Sequence, residues 1–98
     1  MTDPRLTKLA KTLVHYSVKV KEGDWVLVYG EVTGLPLLRE VIREVLHAGG
    51  RPNLLIESDE INEILLNEAS EEQIQWISPI ENLAYQQIDV LILSLIHI

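Results

Sequence analysis

The chain has 98 residues and contains neither cysteine nor phenylalanine. Without cysteine there is no disulfide framework, no thiol nucleophile and no Cys-ligated metal. Aromatic residues are scarce, two Trp and three Tyr, so a core must be built mostly from Leu, Ile and Val. The longest apolar run falls far short of the ~20 residues that span a bilayer. The first residues are polar and lack the apolar centre of a signal peptide. A soluble, cytoplasmic protein is therefore expected. Basic residues stop at Arg51. Residues 1–49 hold seven Lys/Arg against six Asp/Glu, a balance of +1. Residues 50–98 hold Arg51 alone against nine acids, a balance of −8, and the whole chain is −7. An acidic half lacks the clustered cations that bind phosphate, which argues against a nucleic-acid partner. It argues equally against anionic membranes.

The length suits one domain of modest stability. Asp3-Pro4 is a helix start, an N-cap acceptor followed by Pro at the first helical position. Leu6, Leu9, Ala10, Leu13 and Val14 repeat at helical spacing, which predicts a first helix over about 4–17, with Lys8, Lys11 and His15 on its other side. Gly23-Asp24 makes a turn, and the β-branched run 25–29 (WVLVY) reads as a strand buried on both faces. A second helix is expected over about 35–48. Leu37, Leu38, Val41, Ile42 and Val45 form its core side, Glu40, Arg43, Glu44 and His47 face water, and Gly49-Gly50 stops it. Residues 52–57 (PNLLIE) read as a strand that begins with Pro, a mark of a strand start or an edge. Ile61, Ile64 and Leu65 mark a short helix; Ser70 to Gln73 and Ser78 to Glu81 read as two capping boxes. Residues 88–92 (IDVLI) read as a third strand. The order α-β-α-β-α-α-β predicts an α/β fold, a parallel sheet of about three strands with helices on both faces. Strand 1 is expected between strands 2 and 3. No internal repeat, linker or low-complexity segment interrupts the chain.

Few residues point to chemistry. Gly30 and Gly34 flank a strand-to-helix connection, where a phosphate could sit. The pattern is not G-x-G-x-x-G, no Gly-Lys-Ser/Thr is present, and Glu31 would repel an anion, so tight-turn glycines are the better reading. His15 and His47 fall on solvated helix faces, and His97 stands near the chain end. No HExxH motif and no carboxylate–His pair at ligand spacing accompanies them. His15 and Ser17 point in different directions on a helix, so they make no hydrolase pair. Glu57, Asp59, Glu60 and Glu63 cluster just past the second strand, where α/β sheets place ligands. A helix start with acids favoured by the dipole accounts for them more simply than a cation site. Trp25 and Trp76 are expected to serve packing.

Three stretches, RLTKLAKTLVHYSVKVKEGDWVLVYGE (5–31), LPLLREVIREVLHAGGRP (35–52) and NEASEEQIQWI (67–77), follow one another in an order and at distances that resemble the opening of the thermophilic-aminopeptidase family of metallo-exopeptidases. The resemblance implies a three-layer, flavodoxin- or Rossmann-like sheet, here as a fragment. It implies that residues 1–92 are a truncated N-terminal α/β domain that helps shape the substrate-access cleft. The aliphatic end, residues 93–98, departs from the family and is expected to be a non-native read-through tail. Family members are several times longer, remove N-terminal residues from peptides and are commonly homodimers. Their two-metal site, which takes ions such as Zn, Co or Mn, is made by Glu, His and Asp residues of a C-terminal catalytic portion. No position of this chain matches those ligands, so the resemblance assigns no catalytic, cofactor-binding or metal-ligating residue here. The chain alone is expected to bind no cofactor and to be inactive. Two other readings are a self-standing flavodoxin-like binding or regulatory module, and an interaction domain whose acidic segment 57–81 docks a basic partner.

Overall fold

The computed structural model describes residues 3–93. The expected tail therefore lies, from residue 94 onward, outside the described residues. Helix α1 spans Pro4–Lys11 and runs into a π-helical turn over Thr12–Ser17. Asp3 caps it, its carboxylate accepting from the Arg5 N–H at 2.9 Å. Strand β1 spans Trp25–Glu31, and a 3₁₀ turn over Val32–Gly34 leads into α2, Leu35–His47. Then follow β2 (Arg51–Glu57), α3 (Asp59–Glu68), α4 (Glu71–Gln75), α5 (Pro79–Gln87) and β3 (Val90–Leu93). The sheet is all parallel, in the order β2-β1-β3, with β1 central as expected from the sequence.

Local chemistry sets the boundaries. At Gly23 (φ 83°) and Gly49 (φ 84°) the backbone takes the left-handed form that glycine adopts without a Cβ penalty. The Gly23 N–H donates to the Gly49 carbonyl at 2.8 Å, and the Arg51 N–H to the Asp24 carbonyl at 2.7 Å. These bonds tie the start of β1 to the start of β2. Asp89 does the same for β3, its carboxylate accepting from the Trp25 N–H at 2.8 Å. The capping box of α4 forms in full: Gln73 N–H donates to Ser70 Oγ, and Ser70 N–H to Gln73 Oε1. The box expected at Ser78 does not form; α5 begins with Pro79 and no side-chain cap.

The core lies on one face of the sheet. Val26 and Val28 of β1 and Ile92 of β3 meet Ala10 and Val14 of the first helix and Leu37, Leu38, Val41 and Val45 of α2. Gly30 continues that face. A Cβ there would stand 2.8 Å from the Leu38 methyls, so this glycine serves close helix–strand packing, not the tight turn expected of it. Burying a side chain such as Leu38 contributes about 1.5–3 kcal/mol. Leu27 is buried on the opposite face. That second layer is thin. Helices α3 and α4 bury no residue, and α5 buries only Ala84. The accessible surface is 7,186 Å², against about 5,700 Å² for a compact monomer of this mass.

Candidate functional site

Two polar clusters and one apolar groove stand out. The first cluster joins α2 to the end of the first helix. The π turn, with its Val18 N–H to Leu13 carbonyl bond at 3.0 Å, widens the backbone there. It carries His15 over α2, where Nε2 lies 3.0 Å from Glu44 Oε1. His47 Nδ1 approaches the other oxygen, Oε2, at 3.5 Å. Glu40, one turn before Glu44, is buried as well, and its Oε2 has no hydrogen-bond partner; Arg43 Nε lies 3.5 Å away, outside hydrogen-bonding geometry. The sequence pattern placed Glu40 and Glu44 in water. They are 5% and 4% exposed, because α1 lies across that side of α2. His15 likewise pairs with a carboxylate 29 positions away, a contact that short-range spacing does not reveal.

The second cluster sits at the C-terminal ends of the strands, where parallel sheets place ligands. Asn62 Nδ2 donates to Glu57 Oε2 at 3.2 Å, and the Glu57 carboxylate acts on the Tyr29 phenol. Burial first, and then the Glu57 carboxylate, push the Tyr29 phenol well above its ordinary value. Asp59 and Glu60 fill the first turn of α3, which its dipole favours. The acids singled out from the sequence do not converge. Among the described residues, no group of three His, Asp or Glu side chains is placed to hold a metal ion. His15 and His47 each address a different oxygen of Glu44 rather than a common point.

The groove begins beside this cluster. It holds about 750 Å³ between α3 and α4, and is lined by Glu57, Asn62, Ile64, Leu65, Leu66, Glu68, Ala69, Gln73, Ile74 and Trp76. Trp76 is 67% exposed, so it does not pack into a core as expected. Trp25 is half-buried on the sheet, its indole N–H bonded to Asn53. Nothing in the sequence pattern separated the two tryptophans.

The model of the family described as thermophilic metalloprotease (M29) matches residues 2–96. The chain belongs to this family. Among solved structures it is similar to wild-type AmpT from Thermus thermophilus, with a TM-score of 0.60 and 19% identity. That likeness shows the fold. It covers 68% of this chain and 17% of AmpT, so the chain spans less than a fifth of that relative's length. No curated protein matches. Among the described residues no helix is long and apolar enough to cross a membrane.

Proposed function

We propose that residues 1–92 are the N-terminal α/β domain of a metal-dependent aminopeptidase that releases N-terminal amino acids from peptides. The observation that carries this reading is the family match over nearly the whole chain. Its share of the solved relative, 17%, agrees with a role as one part of a longer enzyme. In that enzyme the domain helps shape the access cleft. A divalent ion such as Zn, Co or Mn would supply an activated water for attack on the peptide carbonyl. Among the described residues no group of three His, Asp or Glu side chains is placed to hold such an ion. Their work is structural. His15 and Glu44 tie the first helix to α2, and Asn62 and Glu57 tie α3 to the end of β2. The complete enzyme is proposed to be a cytoplasmic homodimer. Residues 93–98 are proposed to be foreign sequence, and removing them should raise solubility.

Sequencing the source DNA past the Ile92 codon tests the reading. It predicts a frame that continues for several hundred codons, with the metal-binding Glu, His and Asp residues in its later part. A native stop after Ile98 would contradict it. A second check is an assay of the purified chain with Zn, Co or Mn and a Leu-peptide. The reading predicts no release of leucine; release by the chain alone would place a catalytic site where none is proposed.

A further inference from the structure

We propose that the α3–α4 groove is a docking surface for a cationic, amphipathic helix of another protein segment. The groove is apolar at its floor, where Ile64, Leu65, Ile74 and Trp76 stand between about half and two-thirds exposed. The open groove holds about 750 Å³. It suits the three or four anchors that a helix presents at i, i+3, i+4 and i+7. Charge then selects the occupant. Glu57 and Glu68 line the groove, the two helices that form it also carry Glu60, Glu63, Glu71 and Glu72, and no Lys or Arg follows Arg51. A second copy laid face to face would set acid against acid. An anionic lipid surface would be repelled. A helix with Lys or Arg along the edges of an apolar stripe satisfies both the floor and these acids.

The test uses the chain carrying Trp25→Phe, so that Trp76 alone reports. It is titrated with an amphipathic Leu/Lys helix of about five turns and with its Leu/Glu counterpart. A blue shift of Trp76 emission with the Leu/Lys peptide, at least tenfold tighter than with Leu/Glu and weakened by salt, is the expected result. Calorimetric titration of the unsubstituted chain reads the same difference if Trp25→Phe fails to fold. Equal binding of both peptides, or binding of neither, overturns the proposal. So does a Trp76 shift that follows protein concentration without peptide, which would make the occupant a second copy. These outcomes are independent of whether the longer polypeptide is a peptidase.

Discussion

Residues 3–57 and residues 58–93 carry the same kind of amphipathic pattern and meet different fates. In the first region α1, the π turn and α2 close over β1, and among the described residues ten of the twelve buried hydrophobic side chains come from there. In the second, Ile61, Ile64, Leu65 and Leu66 of α3 are 48–70% exposed. Ile77 and Ile80, on either side of the α5 start, are 70% and 77% exposed. An apolar stripe states which side of a helix gains by leaving water; it does not supply the surface that covers it. The two regions thus contrast a closed core with an apolar surface that the described residues leave open.

The largest expected effect comes from deleting the same atoms in each region. Leu38→Ala, at a site with no exposure, should cost about 2–5 kcal/mol. Leu66→Ala, 70% exposed, should stay within about 0.5 kcal/mol. Urea unfolding of the two variants reads the difference, and equal losses would erase the comparison. Gly30→Ala sharpens it by adding an atom instead. A Cβ 2.8 Å from the Leu38 methyls should overpack the sheet–helix contact by about 1–3 kcal/mol.

Glu40 probes a weakness inside the packed region. Its buried Oε2 lacks a hydrogen bond, and an unsatisfied buried polar group costs about 1–3 kcal/mol. Glu40→Leu should therefore raise Tm, and a fall would show that Arg43 holds the carboxylate productively. The smallest effect lies at the boundary of the two regions. The folded state resists ionisation of Tyr29, so its pKa is above the unfolded value of ~10. Its contribution to stability is intact below pH ~10 and is lost as pH rises beyond that. Stability of Tyr29→Phe should fall less steeply over the same alkaline range, measured by urea unfolding at stepped pH.

Much of the fold was legible because it depends on local signals. The Asp3-Pro4 start, the Gly49 stop and the Ser70–Gln73 box each act within a few residues, and each forms. The β-branched run at Val26 and Val28 announced a buried central strand. What stayed hidden depends on neighbours distant in sequence. Glu40 and Glu44 read as part of a solvated stripe on α2, since nothing local says that α1 crosses it. Trp76 read as a packing residue because its helix is amphipathic, although no element covers it. Gly30 looked like turn chemistry until Leu38 stood against it. The family resemblance was legible in three ordered stretches, and the family match confirms it.

Residue-resolved hydrogen exchange under native conditions tests the division of the molecule most directly. Amides that open only by global unfolding exchange slowest. The account predicts that the slowest amides lie in β1, Trp25–Glu31, and in α2, Leu35–His47, while those of α3 and α4 exchange orders of magnitude faster. Protection of α3 and α4 equal to that of β1 would contradict it, because those helices would then belong to one cooperative core.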